Sequence, residues 1–119
     1  MKYQNDITVT NTGGRYETVI HTGTHQLVAD EPVDKGGTNL GPAPHQLLLS
    51  SLGTCIAITV RMYADRKQWP LDSVRVILNM DERTAEGPVV IRRRLEFTGG
   101  ARRRSAQAVV RYCIQMPGA

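Results

Sequence analysis

The sequence predicts an α+β domain in which antiparallel strands flank one long apolar helix. Three observations point there. Residues 5–31 alternate apolar and polar side chains with turn residues between the runs. The segment "QLLLSSLGTCIAITVRMYADRK" (Gln46 to Lys67) is apolar and free of proline over a helix-sized length. "SVRVILNM" and "VVIRRRLEF" then alternate again. At 119 residues the chain has the size of one domain.

The first strands are expected in "DITVTN", "GGRYETVIHT" and "GTHQLVADEP", with tight turns at Gly13-Gly14 and Thr22-Gly23. Together they form a three-stranded antiparallel meander. "DEPVDKGGTNLGPAP" is rich in Pro, Gly and Asp and reads as loop. Residues 1–42 thus hold the meander and loop. Pro44 suits the first turn of a helix, because a backbone N–H would have no partner there. The central helix is expected over 43–68, stopped by Pro70 in "QWPLDS". A hairpin over 72–98 follows, its strands joined by the polar turn "DERTAEG". Residues 99–119 form an atypical tail, weakly helical between Ser105 and Ile114.

Charge and composition exclude several classes. The net charge is +4, but residues 100–119 contribute four arginines and no acid, so residues 1–99 sum to zero (4 − 4 = 0). A nucleic-acid binder should carry its basic stripe on a folded face, interleaved with aromatics or polar base readers. The first 15 residues lack the apolar core of a signal peptide. No window of 18 residues is free of polar groups, which argues against a membrane span. Two cysteines in a chain with no export signal point to the cytoplasm and to reactive rather than bridging thiols. His21 and His25 in "HTGTH" have a spacing that would suit a metal on a helix; on a strand turn it does not, and no metal is expected.

The helix poses two questions: what covers it, and why it carries Cys55 with Arg61 a turn or two later. Leu47, Leu48, Leu49, Leu52, Cys55, Ile56, Ala57, Ile58, Val60 and Met62 spread over far more than one face. A helix apolar nearly all round is expected to be buried all round. Two small sheets cannot wrap it, so a homodimer with paired central helices is expected.

"DEPVDKGGTNLGPAPHQLLLSSLGTC", followed by "RMYADRKQWPLDSVRV", resembles the OsmC/Ohr family of cysteine-based hydroperoxide reductases. The exit "YADRKQWPL" is more similar to its OsmC-like branch. The resemblance covers about residues 5–98. It implies the OsmC-like fold, antiparallel sheets packed around a long buried helix in an intertwined homodimer, with active sites at the interface. It places the peroxidatic cysteine on Cys55, eleven residues after Pro44, and a helper arginine, which follows a Gly-Gly turn, on Arg15. The Ohr branch orients that arginine with a glutamate at a position held here by His45.

The chemistry is coherent by itself. Only a thiolate attacks a peroxide, so the thiol needs a nearby cation or helix N-terminus. Cys55 lies too deep in the helix for the N-terminal dipole to act on it. Arg15 would then be its main stabiliser and would hold the peroxide oxygens. The implied reaction is thiol-dependent reduction of organic hydroperoxides or hydrogen peroxide in oxidative or osmotic stress. No bound cofactor is expected, only an external dithiol, of lipoyl type or on a reductant protein. The alternative is a catalytically impaired dimer that binds a small apolar ligand beside Cys55.

The resolving cysteine of the family, in a Cys-Pro-Val-His ending, has Cys113 as its candidate, but "RYCIQMPGA" lacks that motif. Back-translated and read one nucleotide later, Met116-Pro117 forces a cysteine codon and Gln115 a lysine or arginine codon before it. We therefore read the acid-free tail after about residue 100 as a frame-shifted version of the family's ending. On that reading Cys113 matches the resolving thiol by accident.

Overall fold

The computed structural model describes residues 6–81 and 89–99. The chain divides into two compact units, residues 1–48 and 49–119, and each has its own means of support.

In the N-terminal unit, β1 (Ile7–Asn11), β2 (Thr18–Thr22) and β3 (His25–Ala29) form an antiparallel sheet in the order β1-β2-β3. Asn11 faces Thr18 and Ile7 faces Thr22 across the first pair; Thr22 faces His25 across the second. The second turn is the tight one expected, with Gly23 at φ +64°, a conformation that favours glycine. The first connection differs from expectation. It occupies residues 12–17, because the Asn11 side chain takes over hydrogen bonds that a two-residue turn would have made through the backbone.

β1 is exposed along its whole length, and Ala29 is the only buried residue in the three strands. Cohesion comes instead from the segment after β3. This segment is not wholly irregular, for Val33–Lys35 makes one turn of 3-10 helix ending at Gly36. It returns along its own path through bonds from Asn39 N–H to the Glu31 carbonyl (3.1 Å) and from Asp30 N–H to the Pro42 carbonyl (3.1 Å).

The helix α1 runs Pro44–Lys67, as the sequence implies. At its start Gln46 Oε1 accepts from the Ala43 N–H at 2.9 Å, the reach-back half of a capping box. Its end is equally specific. Gln68 takes the left-handed conformation (φ +56°) and donates to the Asp65 carbonyl, while Trp69 N–H donates to the Ala64 carbonyl at 2.9 Å. This is a Schellman closure with glutamine where glycine is usual, and the Tyr63–Trp69 ring contact (5.3 Å) supplies its apolar clasp. Pro70 then prevents any continuation.

In the C-terminal unit, β4 (Leu71–Met80) and β5 (Ile91–Gly99) pair antiparallel. Val74 faces Phe97 and Val76 faces Leu95. These four pack against a buried cluster of Ile56, Val60, Ala64 and Leu71. The three arginines of β5 alternate faces as a strand requires: Arg92 and Arg94 pair with Asp81 (3.1 Å) and Glu96 (3.4 Å), and Arg93 lies on the opposite face.

Burial within one chain falls on one side of the helix. Within the chain α1 is buried along a single stripe of Gly53, Ile56, Val60 and Ala64, not all round. Leu48, Ile58 and Met62 are about half exposed or more, and Cys55 is exposed with them. At about 100° per residue the two sets occupy opposite sides of the rod. By length and composition α1 could cross a membrane.

Candidate functional site

Cys55 is a free, exposed thiol midway along α1. The helix sends Gly53, Ile56 and Val60 toward the sheet and leaves Cys55 on the far side, in line with Leu48, Ile58 and Met62. Its sulfur has no hydrogen-bond partner among the described residues. The Thr59 hydroxyl donates to the Cys55 carbonyl at 2.7 Å, which anchors the backbone of that turn. The thiol is thus presented by a rigid element on an apolar face.

Arg61, further along this helix, has a different task. Its guanidinium donates to the Leu71 carbonyl (2.5 Å) and the Asp72 carbonyl (2.9 Å), stapling the start of β4 to the helix. That answers the question raised by its place in the sequence: it is a structural clamp.

Arg15 belongs to the N-terminal unit. It adopts the left-handed conformation (φ +51°), uncommon outside glycine, and its Nη1 donates to the Gly36 carbonyl at 3.0 Å. Asn11 holds the turn that carries it. Its Nδ2 donates to the carbonyls of Arg15 and Glu17, both at 3.0 Å, and its Oδ1 accepts from Gly13 N–H at 3.2 Å.

Behind the loop that supplies Gly36 sits Asp30, a carboxylate only 2 % exposed. It accepts from the Thr38 hydroxyl (2.6 Å) and from the N–H groups of Glu31 (2.7 Å), Leu40 (3.2 Å) and Thr38 (3.3 Å). The Thr38 hydroxyl bond is the main reason its carboxyl is held below the usual aspartate range. Desolvation opposes the shift and the three backbone donors reinforce it.

The same unit contains a cavity of about 430 Å³ between the sheet and the first turn of α1. Val9, Tyr16, Ile20, Ala29, Pro44 and Leu47 supply its apolar wall, and Asn11, Thr18, Asp30 and Glu31 its polar one. Among the described residues no group of three His, Cys, Asp or Glu side chains could hold a metal.

Of the three expected site residues, Arg15 belongs to the N-terminal unit and Cys55 to the C-terminal unit. Cys113 and the whole tail after Gly99 lie outside the described residues. At the position of the orienting glutamate, His45 offers no carboxylate, and the neighbouring Gln46 is engaged in capping. Sequence reading missed Asn11 and Asp30. An asparagine before "TGG" is the signal for an Asx-type turn that could have revealed the first. The second has no local signature, since its partners lie up to ten residues away.

The family model for OsmC-like protein matches residues 36–116. The chain belongs to the OsmC-like family. The match spans α1 with Cys55 and continues through Cys113. Solved OsmC-like relatives share the fold at low identity. One is a Psychrobacter arcticus protein named for osmotic stress induction and detoxification response. It is 15 % identical with a TM-score of 0.80, covering 97 % of this chain and 85 % of that one. A Legionella pneumophila organic hydroperoxide resistance protein is 20 % identical (TM-score 0.64, 94 % and 84 % covered). Another from Elizabethkingia anophelis is 19 % identical (TM-score 0.61, 97 % and 85 % covered). No curated protein matches the chain significantly. An α+β chain of antiparallel sheets and one long helix therefore belongs among OsmC-like proteins by sequence model and by fold.

Proposed function

We propose that this OsmC-like chain reduces organic hydroperoxides or hydrogen peroxide through Cys55 in a peroxide-related stress role. The observation that carries the reading is a free, exposed thiol at the position the family resemblance assigns to the peroxidatic cysteine. Two of the structural relatives are named for organic hydroperoxide resistance, which favours the same substrate class.

In the proposed cycle the Cys55 thiolate attacks the terminal peroxide oxygen. The O–O bond breaks, alkoxide leaves and takes a proton as alcohol, and Cys55 becomes the sulfenic acid. A second thiol condenses with that acid, releases water and leaves a disulfide. An external dithiol, lipoyl-type or protein-borne, reduces the disulfide by exchange. Arg15 is the proposed cation that favours the thiolate; Cys113 is the candidate resolving thiol that the sequence offers, and on the frame-shift reading the external dithiol takes that step instead. No bound cofactor enters the cycle.

The expected homodimer belongs to the same proposal. Leu48, Ile58 and Met62 expose apolar surface on the side of α1 opposite its sheet, and a second copy is the cover we assign to it. The cytoplasm, where dithiol reductants are available, is the proposed location.

The test is peroxide consumption with dihydrolipoamide or dithiothreitol. Cys55→Ser should abolish turnover, a loss of at least about a thousandfold. Equal slow consumption by both proteins would end the enzyme reading. The alternative, an impaired dimer that binds a small apolar ligand, draws on the cavity and on His45 in place of the glutamate. It predicts ligand binding that Cys55→Ser leaves intact, with no turnover in either protein.

A further inference from the structure

We propose that the N-terminal cavity binds a small apolar amine in its ammonium form, with the Glu31 carboxylate as partner of the charged head. Every residue that lines the cavity belongs to the N-terminal unit, so the site needs nothing from the other one. The inference is independent of Cys55 and stands whether or not the chain consumes peroxide.

The volume, about 430 Å³, lies in the range usual for small-molecule sites, and an apolar wall with a few polar groups is their usual make-up. What those polar groups still have to offer decides the ligand. Asn11 has spent both side-chain N–H donors on the carbonyls of Arg15 and Glu17. The Thr18 hydroxyl donates to the Tyr16 carbonyl at 2.9 Å, which leaves its oxygen as an acceptor. Asp30 has both oxygens engaged by its own loop. Glu31 differs from its neighbour. It is half-buried, and among the described residues its carboxylate takes part in no hydrogen bond or ion pair. The Tyr16 hydroxyl is likewise uncommitted among the described residues, and its ring sits beside Gly36, where an added Cβ would come within 3.3 Å of it.

The cavity therefore presents acceptors and negative charge against one free hydroxyl. No lysine, arginine or histidine lines it among the described residues. A ligand carboxylate placed there would meet like charge with no cation to offset it. An alcohol would find acceptors but leave the charge of Glu31 unmatched. An ammonium group supplies three donors and the opposite charge, and a charge-assisted bond is roughly twice as strong as a neutral one.

The experiment compares three probes of one chain length, hexylammonium, hexanol and hexanoate, at pH 7.4 on the full-length protein. Binding is read from the backbone amide resonances of Thr18, Ile20 and Ala29. Hexylammonium should bind tighter than hexanol by on the order of tenfold, with hexanoate weakest. Glu31→Gln keeps the shape of the side chain and removes its charge. It should lower hexylammonium affinity to about that of hexanol and leave hexanol unchanged. Val9→Trp alters an exposed strand position that lines the cavity, and should weaken all three probes alike by filling the space. Equal or tighter binding of hexanoate would overturn the inference, as would a hexylammonium preference that survives Glu31→Gln. So would no binding of any probe, the result expected if a second copy of the chain fills the cavity. Peroxide consumption is measured separately, so failure here and failure of the Cys55 reading are distinguishable.

Discussion

The two units of this chain are held together by different physics. The C-terminal unit is supported by apolar burial: Ile56, Val60, Ala64 and Leu71 form a cluster that the strand pair covers with Val74, Val76, Leu95 and Phe97. The N-terminal unit buries little, and its fully buried side chain is a carboxylate, Asp30. Its loop is held by directional bonds instead. Non-directional burial tolerates small shifts and gives a stiff support, which suits a helix that presents a thiol. A hydrogen-bonded loop specifies geometry atom by atom, as in the bond from the Arg15 guanidinium to the Gly36 carbonyl. The candidate nucleophile and the candidate cation thus stand on two kinds of scaffold.

That contrast is open to direct attack. The largest effect is expected in the cluster. Ile56→Ala removes a residue only 3 % exposed and should cost about 2–4 kcal/mol in denaturant unfolding at fixed protein concentration. A loss well under that would mean the helix stripe is not the support we describe.

Gly37→Ala strikes the other unit. A Cβ at this position would run into the Glu31 carbonyl and lie 2.8 Å from the Asp30 carboxylate. The expected cost is about 1–3 kcal/mol, with hydrogen-exchange protection lost over residues 30–42 and retained in β4 and β5. Loss spread evenly across the chain would erase the distinction between the units.

Acid should discriminate them more gently. The Asp30 carboxyl is lowered in the folded chain, so its stabilising contribution is complete above the unfolded aspartate value, about 3.9. It is lost as pH falls through the lower folded value. Protection of the 30–42 loop should therefore stay level near neutrality and fall only below about pH 4. In Asp30→Asn the same loop should be weaker throughout and lack that acid step.

The smallest effect is a gain. Gln68→Gly relieves a left-handed glutamine at the end of α1 and should stabilise the C-terminal unit by about 0.5–1 kcal/mol. No gain would indicate that the glutamine side chain has a compensating contact.

Much of this organisation was legible in the residues. Pro44 and Pro70 bracket the helix and the observed element runs between them, because proline acts on its own neighbourhood whatever the rest of the chain does. Alternation in "SVRVILNM" and "VVIRRRLEF" anticipated β4 and β5. The composition of α1 was silent on one point. An even spread of apolar residues does not say which side meets the chain's own sheet, and only Gly53, Ile56, Val60 and Ala64 do. The role of Arg61 was equally hidden, since its partners Leu71 and Asp72 lie beyond the helix end.

From its letters alone the chain determined its element types, their order, its family and the cysteine at the centre of the helix. All of these follow from short-range rules or from residues read in series. Tertiary structure decided which helix face is covered, that Arg61 is a clamp, and that Asp30 organises the loop from which Arg15 takes its bond. The physical reason is reach: a hydrogen bond between Arg15 and Gly36 spans twenty-one positions. Its existence depends on the path of the chain between them, and no local pattern encodes that path.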